Sequence, residues 1–459
     1  MGIHGSVRVS EHGASGDGKT LNTRILQGLI DELAATGGGT LVFPAGRFLT
    51  GGLILRDGIH LHLEMGSVLL GSCDLDDYLL LDPPPVRFFE DSEGVRALLL
   101  ASRCRDLVVS GPGAIDGQGS EFASYRDVRC GRPRLIFFSE CEDVRIEGVR
   151  LRNSAFWVQH YLHCRRLTLR DLVVFSHASC NNDGLDIDGC QDVTVSGCVI
   201  DSHDDAICLK ANNNAPTENV VISNCITRTH CNHLKTGTES NGGFRNIVVS
   251  NLQMLPSAVR EADGVTQGAD YRGACGIALG CVDGGSIENV MISNVQMDQV
   301  RVPMFIRLGN RARPVNGSEL RQPVGRASAI RLSNIVARDA GPCGGHIMGL
   351  PQSPLRDIRI ENCEFHFEAT AEAGPADMPV PLNESAYPAA DAFGGFPAYG
   401  FFIRDVEDLL LANVAFRSGP AESRPALRWE RSRGVRLDAV EDRRTKNPHS
   451  GPCLSITAC

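Results

Sequence analysis

Aromatic residues are scarce in this chain: two Trp, six Tyr and 18 Phe make up 6% of its 459 residues. A core for a chain of this length must therefore be built chiefly from aliphatic side chains. No stretch approaches the roughly 18 consecutive apolar residues of a membrane-spanning helix, so no membrane partner is expected. Basic residues do not dominate either. Lys and Arg number 45 against 55 Asp and Glu, a net charge of -10 that excludes a general nucleic-acid binder. The CxxC pairs of a structural zinc site are absent, and neither metal nor cofactor is expected. The opening stretch has no basic segment followed by an apolar one, so no secretory signal is read and a cytoplasmic location is expected. The 17 cysteines, odd in number, then read as reduced thiols. A hydrophobic fraction of 42% with mixed charge excludes disorder.

What the chain does have is a repeat. The segments CRDLVVSG from Cys104, CEDVRIEGVRL from Cys141, CRRLTLRDLVV from Cys164 and CQDVTVSGCVI from Cys190 share one pattern. It continues from Thr217, Phe244, Ile287, Ala327, Leu355, Val406 and Ser432. Each unit reads as a small or apolar anchor, two polar residues, apolar-x-apolar, then Asn or Gly before a second apolar-x-apolar. Many steps span 23 to 28 residues; longer ones of 37, 43, 40 and 51 read as a coil with an insertion or a skipped coil. Alternation with period two means short strands with one buried face, and Asn or Gly marks a bend between them. A unit this short cannot close its own core, whereas stacked units can. The expected architecture is all-β: a single-stranded parallel β-helix forming one domain over residues 1–459. Propeller blades of about 40 residues do not fit the spacing.

Residues 1–40 read as an N-terminal cap. Ile25, Leu26, Leu29, Ile30 and Leu33 recur at helical spacing between Asn22 and Ala35, and Gly37 to Gly39 end the helix. Polar or Pro/Ala-rich stretches at 256–274 and 368–397 read as loops projecting from the coils. Before the helix, GASGDGKT (Gly13 to Thr20) matches the phosphate-binding GxxxxGK[ST] pattern. No alternating strand–helix series follows it, so it reads as a glycine-rich turn.

The chemistry concentrates in the central coils, in Asn181-Asn182-Asp183-Gly184-Leu185-Asp186 and Ser202-His203-Asp204-Asp205 through Lys210. Asp183 and Asp204 stand about one coil apart, and stacked coils lie roughly 4.8 Å apart. Adjacent Asp204 and Asp205 need a bend to present both carboxyls to one side. Like charges so close favour keeping a proton on one of them. An acid beside ionised carboxylates is what glycosidic cleavage requires. A calcium loop fits poorly, because DGLDIDG lacks the first oxygen ligand and the closing Glu. Ser202-His203-Asp204 cannot form a triad, since sequence neighbours cannot reach that geometry.

These segments resemble glycoside hydrolase family 28, the polygalacturonase-like pectinases. HGASGDGKT with its helix, GGGTLVFPAGRFLTGGLIL, GAIDGQG (Gly113 to Gly119), NSAFWVQH (Asn153 to His160), NNDGLD and HDDAICLK all match family landmarks in order. The resemblance implies a right-handed β-helix and an inverting hydrolase of pectin-derived oligosaccharides, galacturonide or rhamnogalacturonan fragments. It assigns the general acid to Asp204 and the positioning of water to Asp183 and Asp205. An inverting pair is expected roughly 6.5–9.5 Å apart. Exo-attack is expected from intracellular work on imported fragments. The alternatives are a β-helix polysaccharide lyase, a hydrolase of a non-uronic glycoside, and a non-catalytic carbohydrate-binding β-helix.

Two signatures are altered. Where the family has Gly-His-Gly this chain has His230-Cys231-Asn232-His233, with Asn232 at the histidine, so His230 or His233 reads as a candidate helper or as a structural residue. The basic Arg-x-Lys pair falls on Ala278-Leu279-Gly280. A buried sugar carboxylate left unpaired is costly, so either Lys235, Arg307 or Arg311 substitutes or the sugar is not galacturonate. Asn181 and His203 join the substrate-side set by their place in the motifs. Trp157 and His160 read as a sugar-stacking wall or as core, Lys210 as a supporting residue, and Glu239 and Asp186 as supporting or structural. The cysteines at 104, 141, 164 and 190 read as an interior ladder.

Overall fold

The computed structural model describes residues 5–81, 94–122, 132–260, 271–315, 323–368, 376–444 and 456–458. The chain divides into two compact units. One comprises residues 1–208, 220–225 and 262–267; the other comprises 209–219, 226–261 and 268–459. Both are built of right-handed parallel β-helical coils.

In the first unit three ladders of parallel strands run side by side. The first passes through Gly5–Arg8, Gly39–Phe43, Ile59–Leu63, Arg105–Ser110, Glu142–Glu147, Arg165–Arg170 and Gln191–Ser196. The second links Gly46–Thr50, Ser67–Gly71, Ala114–Asp116, Arg150–Arg152, Val173–Ser176 and Val199–Ser202. The third links Leu53–Ile54, Ala97–Ser102, Arg134–Ser139, Gln159–Leu162 and Asp186–Asp188. Leu107, Val144, Leu167 and Val193 occupy one rung position of the first ladder, and all are buried. Burying each such side chain stabilises the coil by about 1.5–3 kcal/mol. The expected cysteine ladder is present. Cys104, Cys141, Cys164 and Cys190 are buried at one corner, where each of the first three accepts a backbone hydrogen bond from the residue after the next cysteine, at 2.9–3.0 Å.

The second unit has two ladders, because two short strands of each coil fuse into one long strand. Phe244–Pro256, Ser286–Asp298, Arg326–Ala340, Leu355–Phe367 and Val406–Arg417 stack in one. The other contains Asn232–Ser240, Cys275–Cys281, Val302–Leu308, Gly345–Met348, Phe401–Arg404 and Leu427–Glu430. The expected bend appears as a left-handed asparagine inside each long strand. Asn251, Asn294 and Asn334 have φ of 54–56°, and their amides link rung to rung at 3.0–3.1 Å. Asparagine tolerates that conformation better than most residues, and the ladder of amides supports it. Register also settles the long repeat steps. Val144 pairs with Leu107, Ile247 with Val290, Val290 with Ile330 and Ile358 with Leu409, so these steps are single coils carrying insertions.

The cap helix spans Thr23–Ala35 and buries Leu26, Leu29, Ile30 and Leu33. No helix among the described residues is long and apolar enough to cross a membrane. The GASGDGKT turn is closed by its own side chains. Asp17 accepts from the backbone N–H groups of Lys19 and Thr20 at 2.8 Å and from the Thr20 hydroxyl at 2.7 Å. Those bonds hold the Asp17 carboxyl far below the usual carboxylate range. The N–H groups that a phosphate would need are therefore occupied, by an anion.

Of the two insertions, residues 261–270 and 369–375 lie outside the described residues. The remainder of the first carries no strand beyond Pro256. The second corrects the expectation of a projecting loop, because it lies flat on the outer face. Ala390, Phe393 and Phe396 are buried against Ala278, Phe305, Met348 and Phe402. Arg404 donates to the Val380 and Pro381 carbonyls at 2.7 and 2.9 Å, and Arg307 to that of Leu382 at 2.5 Å. The cause is that the outward rung positions here are apolar, and the stretch rich in Ala and Phe covers them.

Candidate active site

The landmark motifs of the first unit turn out to be parts of one scaffold. In GAIDGQG, Gly119 donates its N–H to the Asn153 carbonyl at 2.7 Å, and a Cβ there would lie 2.2 Å from the Ser154 carbonyl oxygen. Ser154 in turn donates to the Trp157 carbonyl at 3.1 Å, and its own carbonyl accepts from Asn182 Nδ2 at 2.9 Å. Asn182 is fully buried. It also donates to the Phe156 carbonyl (2.9 Å) and accepts from Ser176 Oγ and Ser179 N, both at 3.1 Å. Glycine at 119 thus permits the close approach that places Ser154, and Ser154 pins the residue next to Asp183. Gly119→Ala is expected to cost about 1–3 kcal/mol, as small-to-large changes in packed sites do; urea unfolding measures it.

Arg132 grips the same loop from the other side. One of its Nη atoms donates to the Ala155 and Cys180 carbonyls and the Ser179 hydroxyl, the other to Asn181 Oδ1 at 3.2 Å. Asn181, left-handed at φ 54°, therefore spends its side-chain oxygen on the scaffold. Neither Arg132 nor Asn182 was singled out from the sequence. An arginine gripping a loop 47–49 residues away leaves no periodic signal.

The three carboxylates lie on adjacent rungs. Asp204 N donates to the Asn182 carbonyl at 3.4 Å, and Gly184 N donates to the Asp205 carbonyl at 2.8 Å, so the two residues flanking Asp183 bond to the Asp204-Asp205 pair. The expected bend occupies residues 203–206, between strands Val199–Ser202 and Ile207–Ala211. Ser202 Oγ donates to the Asp204 carbonyl at 2.8 Å, and Asp204 Oδ1 accepts from Asp205 N at 2.8 Å, which orients that carboxyl. Asp183 and Asp205 are buried, whereas Asp204 is half-buried. The arrangement offers one partly exposed carboxyl and two buried ones, a difference of environment that acid–base cleavage can use.

The stacking wall is not formed. Trp157 is buried, stacked on Phe156 at 5.3 Å and overlaid by the Arg134 guanidinium at 5.1 Å. It belongs to a core cluster with Val95, Ala97, Leu100, Phe137 and Leu162. His160 is fully buried with Nε2 3.3 Å from Asp188, and its rung neighbour Asp186 is buried too. His203 is buried beside His177, ring centroids 6.3 Å apart, and His177 bonds Asp201 at 2.9 Å.

In the second unit, Lys210 Nζ and Arg313 Nη1 lie 3.6 and 3.4 Å from the Glu239 carboxylate, and Thr238 Oγ1 donates to it at 3.1 Å. Arg313 also chelates fully buried Asp283 through Nε (3.0 Å) and Nη2 (2.6 Å). Burial pushes the Glu239 carboxyl up, but Lys210 and then Arg313 outweigh it and hold the group at about 2. The two candidate helper histidines are buried. His233 is fully buried with Nδ1 2.9 Å from Thr227 Oγ1, and His230 bonds the Val259 carbonyl at 2.7 Å. Asn232 is half-buried, its amide on Cys231 Sγ at 3.2 Å.

Register places Lys235 beside Ala278 and Arg307 beside Gly280, so each cation neighbours one of the two small residues. Their situations differ. Arg307 is buried, bonded to the Leu382 carbonyl and stacked over Phe393 at 5.3 Å, and burial pulls its pKa down to about 10. It is part of the cover, which corrects its reading as a substrate contact. Lys235 and Arg311 instead flank Tyr387, at 5.7 and 5.3 Å from the centroid of a ring that is 51% exposed. Tyr387 and Arg313 went unnoticed in the sequence, the first because it lies in a Pro/Ala-rich insertion.

Comparison with known proteins agrees with this architecture. The profile described as "Glycosyl hydrolases family 28" matches residues 68–340, more than half of the chain. A probable polygalacturonase of Vitis vinifera is 31% identical over 218 residues, 45% of this chain and 44% of that protein. An exopolygalacturonase of Zea mays is 27% identical over 217 residues, 45% of this chain and 50% of that protein. The chain thus spans about half the length of the curated relatives it matches. The crystal structure of a hyperthermoactive exopolygalacturonase from Thermotoga maritima superposes with a TM-score of 0.66 at 20% identity, covering 90% of this chain and 91% of that one, a likeness of fold. With the motifs, the coils and the profile in agreement, the chain belongs to glycosyl hydrolase family 28.

Proposed function

We propose that the protein is an inverting glycoside hydrolase that removes units from the ends of pectin-derived oligosaccharides, galacturonide or rhamnogalacturonan fragments. Asp204 protonates the leaving oxygen, and Asp183 and Asp205 hold and deprotonate the attacking water. The observation that carries this reading is the pair of backbone bonds tying residues 204 and 205 to the two neighbours of Asp183, with Asp204 the more exposed carboxyl. The exo mode rests on the exopolygalacturonase among the sequence relatives. An acidic sugar suits Lys235 and Arg311 around the half-exposed Tyr387, because cations on an aromatic face offer both a charge partner and a stacking surface.

The test follows oligogalacturonide cleavage by proton NMR from the first minutes, before the product mutarotates. Release of an end unit with inverted anomeric configuration is expected, with acidic oligosaccharides cleaved faster than their methyl esters. A retained anomer removes the inverting mechanism. An unsaturated, ultraviolet-absorbing product would instead establish a lyase.

A further inference from the structure

We propose that the outer face of the first unit holds a divalent transition-metal ion of the zinc, nickel or copper type, with His60 Nε2 and His62 Nδ1 as its nitrogen ligands. The two histidines stand two residues apart on the strand Ile59–Leu63, so their side chains leave the same face, roughly 6.6 Å apart along the chain. Ile59, Leu61 and Leu63 alternate with them and are all fully buried, which fixes the strand's register and keeps both imidazoles outward. Both rings remain half-buried, so water and ions reach them.

The neighbouring rungs decide where the ring nitrogens point. Thr40 pairs with His60 on one side, and Val108 and Ser110 pair with His60 and His62 on the other. Thr40 Oγ1 lies 3.3 Å from His60 Nδ1, which turns Nε2 of that ring toward Ser110. His60 Nε2 is 2.7 Å and His62 Nδ1 is 2.9 Å from the same atom, Ser110 Oγ. The rings meet edge to face, centroids 5.7 Å apart. Two nitrogens from two side chains therefore converge on one point.

A hydroxyl carries one proton, so it donates to one of these nitrogens and accepts from the other. A metal ion needs both nitrogens unprotonated, at about 2.0–2.1 Å for zinc. Glu147, on the rung beyond Ser110, is paired with Arg170 at 2.8 Å, so water completes the shell. Paired imidazoles suit zinc, copper and nickel. Calcium and magnesium require shells of oxygen ligands, which this face does not supply.

The test uses the full chain, stripped with chelator and titrated with Zn2+ or Ni2+ by calorimetry, while imidazole 15N shifts are followed for Zn2+. Zinc is expected to move the resonances of His60 Nε2 and His62 Nδ1. His60→Gln and His62→Gln each lower the affinity at least about tenfold, because losing one of two chelating nitrogens removes an intramolecular bond. Ser110→Ala retains binding, and the hydrolytic activity of all three variants is unchanged. Absence of binding, equal affinity in the histidine variants, or zinc shifts confined to other groups overturns the proposal.

Discussion

Asp204→Asn is expected to lower turnover of oligogalacturonides by about 100- to 10,000-fold, the range that a positioned general acid or base contributes. The amide matches the carboxyl in size, and its oxygen still accepts the bond from Asp205 N that orients the side chain. The Ser202 Oγ bond to the residue's carbonyl does not involve the side chain at all. What the variant loses is the dissociable proton. Its melting temperature should therefore stay at the wild-type value while kcat falls. Near-normal turnover in a folded Asp204→Asn protein would remove Asp204 from the acid role.

The second large effect is on stability. Glu239→Gln leaves Lys210 and Arg313 without the carboxylate between them, in a site where Glu239 is 9% and Lys210 4% exposed. Removing one member of a buried ion pair costs about 3–5 kcal/mol, because the remaining charge stays desolvated. The sign of the pH dependence follows from the direction of the shift. The Glu239 carboxyl sits at about 2 in the folded protein, below its ordinary 4.5. Its contribution is complete above about pH 4.5 and is lost as pH falls toward 2. Denaturant unfolding should show the largest gap between wild type and Glu239→Gln near neutral pH, narrowing across that acid window. A gap that does not change with pH would mean that the ionised carboxylate is not the source.

Periodicity made the coils legible. Val144, Leu167 and Val193 recur in sequence as they stack in space, because each rung repeats the same in-and-out alternation. The cap helix was equally plain, since its buried positions recur at helical spacing within one short segment. The proximity of the three carboxylates was legible because two of them are sequence neighbours and the third stands one coil away, a distance that stacking converts into adjacency. Where a residue's direction matters, the repeat left alternatives open that only packing resolves. Trp157, His160, His230 and His233 were placed near the right coil, yet all four are buried, tied to neighbours that the repeat does not specify.

By itself, then, the sequence determined the β-helical coils, the cap, the family and the proximity of the three carboxylates, because each is written in local spacing. Tertiary structure alone decided which cations line the half-exposed Tyr387 and which is sealed. Lys235, Arg307 and Arg311 are alike as letters. Arg307 is sealed under the second insertion by Leu382 and Phe393, while Lys235 and Arg311 meet at Tyr387. That outcome depends on how a segment from 376 onward packs on distant rungs, Leu382 lying 75 residues from Arg307, and burial between such partners leaves no mark on local pattern.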